Sequence, residues 1–495
     1  MIDYTLPLEE LPDPLPIEPL RRPFDVTITP PGSKSITNRA YVLAALAQGE
    51  SRIIRPLRAD DTDLLLKALC TLGAEAKWVP GQTGAPGDSS EDVLIKGVGG
   101  RFPRGGYVNL GDGGTPTRFM IACACLAAEP VVLDGSKRMR ERPVAEGVDM
   151  LRQLGATIEY VEQEGRLPLR VMPSEKFRGG EIEVGRTQSS QPISALLLIG
   201  SCLTNGIRMA FWNTPTSYSY MGLTCEMLDD WEIKNSGATN LRGSDFEGHV
   251  EVPPAGILSR SHRVQPDASS AAYWCLAAAT NAQSTARIGG FSRDTHQPDE
   301  ILIHYLDLMG ARSTITQDLR QRTVSITGTN TWTGRWLTCT ESPDGAVGLS
   351  AALALADGTS RIDGLRTLRV KETDRIAALA SELRKVGCEV ETTEDSITIR
   401  PIGVGQVSDL SRSWRLSEPP APPARRAGET SHGSESRATE EPIIIETYND
   451  HRMAMAFAVL GLRVPGIQIR NPACVKKSYP EFWKDFQKLY DNPRQ

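Results

Sequence analysis

Between Thr367 and Arg375 the chain reads Thr-Leu-Arg-Val-Lys-Glu-Thr-Asp-Arg, so Arg369, Lys371, Glu372 and Arg375 fall close together just ahead of an apolar-periodic run from Ile376 to Val386. Cations at that density suit a phosphate or carboxylate, and an acid among them suits proton transfer. A solvated helix start would account for one or two such charges. A second cluster, Tyr448-Asn-Asp-His-Arg-Met453, also opens an apolar helix, and so does a third, Pro31-Gly-Ser-Lys-Ser-Ile-Thr-Asn-Arg39. Three charged helix starts point to one shared site for a small, highly anionic substrate.

Composition narrows the classes. A chain of 495 residues with 40% hydrophobic and 23% charged content is a globular protein of two or more domains. The net charge of -6 argues against a general nucleic-acid binder, so the basic clusters serve a local anion. Nine scattered cysteines without a CxxC pair read as free thiols in a reducing, cytoplasmic setting, and the six histidines lack metal-ligand spacing. No apolar run approaches the ~18 residues of a transmembrane helix, so no membrane role is expected. Residues 1–23 read as a tail, without the basic start and apolar core of a signal peptide.

The elements that carry these clusters repeat. Leu72-Gly-Ala74, Leu154-Gly-Ala156, Met309-Gly-Ala311 and, more loosely, Val386-Gly-Cys388 each close a periodic helix and precede a strand-like run. Glycine there fits a left-handed C-cap. Segments 190–231 and 450–490 keep the helix–strand–helix order without that cap. The count is six units of βαβαβ character in two sets of three, which predicts repeated supersecondary units packed together. The first helix of each unit opens at Ser33-Lys-Ser35, Gly113-Gly-Thr115, Ser189-Ser-Gln191, Asp267-Ala-Ser-Ser270, Pro343-Asp-Gly345 or Asp450-His-Arg452. Each cluster taken singly is an ordinary N-cap. Helix N-termini also present free N–H groups to anions, and six aimed at one cleft would form an anion trap. Asp344 is equally a turn or cap residue by its neighbours alone, and Glu372 equally a first-turn acid. Residues 402–442, rich in Pro, Ser, Arg and Glu, read as a disordered insertion, and 231–248 as a polar loop, neither with a part in chemistry. The GSKS run lacks the upstream glycine spacing of a P-loop, which excludes that ATPase reading.

Six motifs in order, PGSKSITNRA from Pro31, ERP at Glu141, SSQ at Ser189, DASSA at Asp267, RVKETDR at Arg369 and NDHRMAM at Asn449, resemble the 5-enolpyruvylshikimate-3-phosphate synthase family. The resemblance spans about residues 24–490 and implies an α/β fold, a two-lobed inside-out α/β barrel with three inverted βαβαββ-type repeats per lobe. One lobe would comprise 24–32 with 265–495 and the other 33–264, with the active site in the cleft between them. The family joins phosphoenolpyruvate to the 5-hydroxyl of shikimate 3-phosphate and releases phosphate, without metal or organic cofactor. A monomer is expected.

Carried over by matching motif, Lys34 touches both substrates. Ser35, Arg39, Ser189, Ser190, Gln191, Ser217, Tyr220, Asp344 and Lys371 bind shikimate 3-phosphate. Gly114, Arg142, Gln191, Arg375, Arg452 and Lys477 hold phosphoenolpyruvate, with Arg118 and His451 nearby. Asp344 takes the hydroxyl proton and Glu372 delivers a proton to the methylene carbon, with Lys34 and Lys477 assisting. Asp267 is read as structural. Where the family loop commonly reads GNAGTAMRP, this chain has Asp112 for Asn, Pro116 at the helix start and Phe119 for Pro, and Thr367 stands where Asn is common. Gly114 is retained, so no methyl closes the gap that admits phosphoenolpyruvate, and glyphosate, in the family. The related UDP-N-acetylglucosamine enolpyruvyl transferases carry a reactive cysteine around positions 134–142, and this chain has none there. A non-catalytic anion-binding relative is the other alternative; it would have no need of Asp344, Glu372, Lys34 and Lys477 together.

Overall fold

The computed structural model describes residues 2–81, 91–237, 248–292, 295, 297–318, 321–401 and 441–494. Most of the predicted 402–442 insertion, and the centre of the 231–248 loop, therefore lie outside the described residues.

Six small sheets share one plan. In each, two strands lie parallel and another pairs antiparallel with one of them; in four of the six the parallel pair is joined by a helical crossover. Gly106–Asn109 runs parallel to Val131–Asp134, which pairs antiparallel with Leu169–Met172, itself antiparallel to Thr157–Tyr160. Trp336–Thr338, Ser360–Asp363, Ser396–Arg400 and Glu389–Thr392 repeat the order. Strand burial alternates, as in Ile207–Phe211, because one face covers a core and the other meets water.

The crossover helices are Lys34–Leu46, Gly114–Ala124, Gln191–Gly200, Ala268–Thr280, Pro343–Ala352 and His451–Gly461. They are apolar nearly all round, so they cannot lie on a surface. The first three pack against one another, as do the last three, and the sheets wrap around them. Two separate hydrophobic cores result. One draws on residues 36–264, and the other on 4–28 together with 268–489.

Capping follows the glycine signals. Gly73, Gly155, Gly310 and Gly387 all have positive φ. The next residue then bonds back to the helix, as Ala74 N does to Leu69 O (3.2 Å) and Cys388 N to Leu383 O (3.1 Å), the 6→1 closure of a Schellman motif.

The chain passes between the two lobes at two segments that lie side by side. Ser33 N donates to Gln265 O (2.7 Å) and Asp267 N to Pro31 O (2.9 Å). A Cβ on Gly32 would stand 2.5 Å from the Arg55 carbonyl oxygen, so this approach needs glycine. Strand Asp25–Ile28, just before the first passage, pairs with Thr285–Ser292, while Ser261–Arg263, just before the second, pairs with Glu50–Ile54. Lobe 33–264 thus takes an edge strand from the far end of its own sequence, and the other lobe takes one from before the first passage.

One expectation is corrected. The N-terminal segment is no tail: Leu15–Pro16 pairs antiparallel with Ile469 and Gln468, completing the sixth sheet beside Ile443–Ile445. Tyr4 stacks against Trp483 and Tyr490 and meets the edge of Phe486. Tyr4, Leu11, Leu15 and Ile17 are buried. Their spacing among prolines has no helical or strand period, so the packing left no periodic trace in the sequence.

Candidate active site

All six crossover helices bring their N-termini to one open cleft between the lobes, about 770 Å³ of space with the solvent at its mouth included. It is lined at those starts by Lys34, Gly114, Gln191, Ser269, Asp344 and Arg452. At Ser33, Gly113 and Ser190 no side chain caps the helix, so these starts keep N–H groups for a ligand. Asp267 and Asp450 do cap theirs, accepting from Ser270 N (2.7 Å) and Arg452 N (2.9 Å). Asp267 also accepts from Lys34 N (3.0 Å), which ties the two lobes together at the passage point.

Charge in the cleft is organised around Arg375, which is buried. Its guanidinium donates to Asp344 Oδ1 (2.7 Å), Glu372 Oε2 (2.9 Å) and both oxygens of Asp450 (2.7 and 3.1 Å). Asp344 also meets Arg452 (3.1 Å) and Lys371 (3.4 Å), and Glu372 meets Lys477 (3.1 Å). Lys34 pairs with Asp61 (3.2 Å). Lys34, Arg39, Arg142, Lys371, Arg375 and Arg452 line the cavity and outnumber Asp61, Asp267, Asp344 and Glu372, so the cleft is electropositive inside an acidic protein.

Protonation follows from this crowding. Burial alone would raise the Asp344 carboxyl, but Arg452, Lys371 and Arg375 outweigh it and hold it well below the usual carboxylate range. Glu372 is likewise raised by burial and more than recovered by Lys477, Arg375 and Arg142. Burial lowers the Lys371 ammonium, with Asp344 opposing. His451, buried and close to Lys34 and Arg452, is held well below its ordinary value and is neutral; Nδ1 lies 3.8 Å from Asp450 Oδ1, and neither ring nitrogen makes a hydrogen bond among the described residues.

Arg142 lies against Gly114. Its Nε donates to Val370 O (3.1 Å) in the opposite lobe, and its buried Nη1 has no partner among the described residues. A buried guanidinium N–H without an acceptor is costly, and it stands beside an uncapped helix start, which fits an anion. Arg118 does not line the cavity. It donates to Gly114 O (3.0 Å) and Pro143 O (2.8 Å), holding that helix start against the Arg142 segment, and burial with Arg142 nearby pulls its pKa to about 9.

On the other side, Ser35, Arg39, Ser189, Ser190, Gln191, Ser217 and Tyr220 line the cavity. Arg39 is heavily engaged with protein: it donates to Thr224, Ser35 O, Ser194 and Tyr220 O, and sits 5.5 Å over the Phe119 ring. Phe119 is thus the floor beneath Arg39. Gln191 Nε2 donates to Thr115 (2.9 Å), and Ser217, at positive φ, reaches Thr340 O (3.4 Å) across the cleft. The Asp112 carboxylate bonds the Ser136 hydroxyl in its own lobe while its carbonyl accepts from Lys477 Nζ (3.1 Å). Of the residues predicted to contact substrate, Lys477 does not line the cavity; it stands behind Glu372, and His451, expected nearby, also lies outside the lining. Thr367 lines it.

Sequence reasoning missed two acids. Asp61 is one of three acids, with Asp60 and Asp63, in the first turn of helix Asp60–Thr71, and only its approach to Lys34 sets it apart. Asp299, fully buried, accepts from Gly345 N (3.3 Å) and bonds the hydroxyls of Ser342 and Ser269, so it caps the helix that carries Asp344. Burial pushes its carboxyl up.

A sequence profile of the EPSP synthase (3-phosphoshikimate 1-carboxyvinyltransferase) family matches residues 21–415 and 424–486. The chain belongs to the EPSP synthase family. It is 34% identical over 466 residues to a 3-phosphoshikimate 1-carboxyvinyltransferase of Methanoculleus marisnigri, covering 93% of this chain and 96% of that one. A protein of the same name from Haemophilus influenzae is 32% identical over 468 residues, covering 94% and 96%. Among solved structures, an EPSP synthase from Acinetobacter baumannii superposes with a TM-score of 0.71 at 23% identity over 97% of this chain and 98% of that one. The enolpyruvyl transferase NikO from Streptomyces tendae has a TM-score of 0.66 at 16% identity, over 96% of each chain. Both structures share the two-lobed α/β fold that the resemblance implied.

Proposed function

We propose that this EPSP synthase family member transfers the enolpyruvyl group of phosphoenolpyruvate to the 5-hydroxyl of shikimate 3-phosphate and releases phosphate. The observation that carries the reading is the convergence of six helix N-termini and an excess of cations on two carboxylates, Asp344 and Glu372, held by one guanidinium.

Two anionic substrates need that surplus of positive charge. Ser189, Ser190, Gln191, Ser217, Tyr220, Ser35 and Arg39 form the shikimate 3-phosphate side. Arg142, Arg375, Arg452 and the open start at Gly114 form the phosphoenolpyruvate side, and Lys34 lies between them. Arginine forks suit phosphate and carboxylate bidentately. Holding both reactants in place contributes roughly 7–11 kcal/mol to lowering the barrier.

Before substrate binds, Asp344 and Glu372 are both carboxylates, saturated by cations. A carboxylate so held is a weak base, and Glu372 has no proton to give. Substrate phosphate and carboxylate groups draw Arg375, Arg452, Arg142 and Lys477 toward themselves. The basicity of both acids then rises where it is needed. Asp344 takes the 5-hydroxyl proton as the oxygen attacks the enol carbon, and Glu372, made basic enough to have taken up a proton from solvent, delivers it to the methylene to give a methyl. In the second step Glu372 takes a methyl proton back, the C–O bond to phosphate breaks with the proton on Asp344 passing to the leaving phosphate, and the enol is restored. Lys34 and Lys477 stabilise the departing phosphate.

The same reading takes residues 33–264 as one domain and 24–32 with 265–495 as the other, supported by the two separate cores, and places the enzyme in the cytoplasm as a monomer. Among the described residues no helix is long and apolar enough to cross a membrane. Segment 134–142 presents Arg138, Arg140 and Arg142 in place of a cysteine, which disfavours a UDP-N-acetylglucosamine acceptor.

The test is phosphate release from purified protein with phosphoenolpyruvate and either acceptor. Release that depends on shikimate 3-phosphate is expected. Release only with the nucleotide sugar, or none from a folded sample with either, would defeat the proposal.

A further inference from the structure

Three successive backbone carbonyls of one lobe are bound by two guanidinium groups of the other. Arg142 Nε donates to Val370 O (3.1 Å), Arg138 Nη2 to Lys371 O (3.0 Å) and Arg138 Nε to Glu372 O (2.9 Å). The two arginines stand four residues apart, on the helix Lys137–Glu141 and at its C-cap, and so on one face. The third nitrogen of Arg138, Nη1, pairs with Glu141 (3.0 Å), which fixes the plane of the fork.

The carbonyls belong to the irregular stretch between the short turn Arg366–Val370 and the helix Arg375–Lys385. No backbone N–H among the described residues bonds to any of the three. Their orientation is therefore set from across the cleft. That stretch carries Lys371, which faces Asp344, and Glu372, which faces Arg375 and Lys477. A segment without ladder or helix bonds of its own would otherwise turn its peptide planes freely, and side chains would swing with them.

We infer that Arg138 is a positioning residue that couples approach of the lobes to placement of Lys371 and Glu372. It does not line the cavity and touches no reacting atom. Its fork meets the Lys371 and Glu372 carbonyls only when the lobes are in contact, so closure and the aim of the two side chains become one event. The inference rests on the reading of Lys371 and Glu372 as site groups.

The experiment uses the full chain with Arg138→Ala and Arg138→Lys. Shikimate 3-phosphate affinity is read by calorimetry, compaction on its addition by small-angle scattering, and kcat and KM by phosphate release. Expected in Arg138→Ala are shikimate 3-phosphate affinity within about twofold of the parent, weakened compaction and a kcat lower by roughly 10- to 100-fold, from two lost charge-assisted hydrogen bonds. Arg138→Lys should recover little, because one ammonium cannot span two carbonyls as a planar fork does. Unchanged kcat and compaction would overturn the inference. So would a parent that does not compact, or a kcat loss matched by equal losses of shikimate 3-phosphate affinity and melting temperature. The side chain is 38% exposed, outside either core, and Arg138→Gln serves as a second truncation if the alanine variant does not fold. Compaction is read without turnover, so failure of the clamp is distinct from failure of the Glu372 assignment. The latter would appear as Glu372→Gln keeping its kcat.

Discussion

One methyl group added at position 114 should weaken phosphoenolpyruvate binding while leaving the fold and shikimate 3-phosphate binding nearly untouched. A Cβ there would stand 2.6 Å from Arg142 Nη1, 2.7 Å from Nη2 and 2.9 Å from Cζ. Carbon–nitrogen contacts relax near ~3.5 Å, so the guanidinium must retreat by about 0.8 Å. The obstructing atoms are the end of a flexible side chain, so the helix need not move. Gly114 is the first residue of Gly114–Ala124, where alanine is well tolerated, and stability should change by no more than about 0.5 kcal/mol. The retreat strains the 3.1 Å bond to Val370 O and draws the unpartnered Nη1 away from its anion. Loss of one charge-assisted hydrogen bond costs about 1.5–3 kcal/mol, or roughly 10- to 100-fold in KM for phosphoenolpyruvate. The assay is phosphate release at saturating shikimate 3-phosphate with phosphoenolpyruvate varied, beside calorimetry of shikimate 3-phosphate and a thermal melt. A KM within about twofold of the parent would refute the contact argument. A parallel loss of shikimate 3-phosphate affinity would show that Arg142 serves the other subsite.

Asp61→Asn should lower kcat by about tenfold without weakening either substrate, because it removes the partner that holds Lys34 and makes the cleft more positive; unaltered kcat would leave Asp61 a structural acid. Deleting residues 2–19 should depress the melting temperature sharply, since Tyr4, Leu11, Leu15 and Ile17 each contribute about 1.5–3 kcal/mol by burial; an unchanged melt would restore the tail reading. Burial, with Arg260 adding to it, pulls His262 down to about 4. The unfolded imidazole titrates near ~6.5, so between those values the unfolded state binds the extra proton and stability falls as pH falls, by up to about 3 kcal/mol near pH 4. His262→Phe should therefore flatten urea stability between pH 7 and pH 4.5, and an equally steep loss in the variant would assign the acid limb to other groups.

Much of this protein could be read along the chain because its signals are local. A glycine directly after an apolar-periodic run readily takes the left-handed conformation that ends a helix, so Gly73, Gly155, Gly310 and Gly387 marked their caps without any knowledge of distant neighbours. Polar clusters opening at Ser33, Gly113, Ser189, Asp267, Pro343 and Asp450 marked the starts of the six crossover helices, and the clustered cations at Lys34, Arg375 and Arg452 named the kind of ligand. Tertiary structure alone decided which charges meet. Arg375 binds Asp344 and Asp450 from 31 and 75 residues away, and Lys34 finds Asp61 rather than any other first-turn acid. Those choices fix the protonation of the site, since Coulomb interaction depends on separations of a few ångströms that residue order does not encode. The N-terminal strand escaped sequence reading for a related reason. Two residues, Leu15 and Pro16, have too little length to show a period, and they become a strand only because Ile469 and Gln468 offer them an unfilled edge.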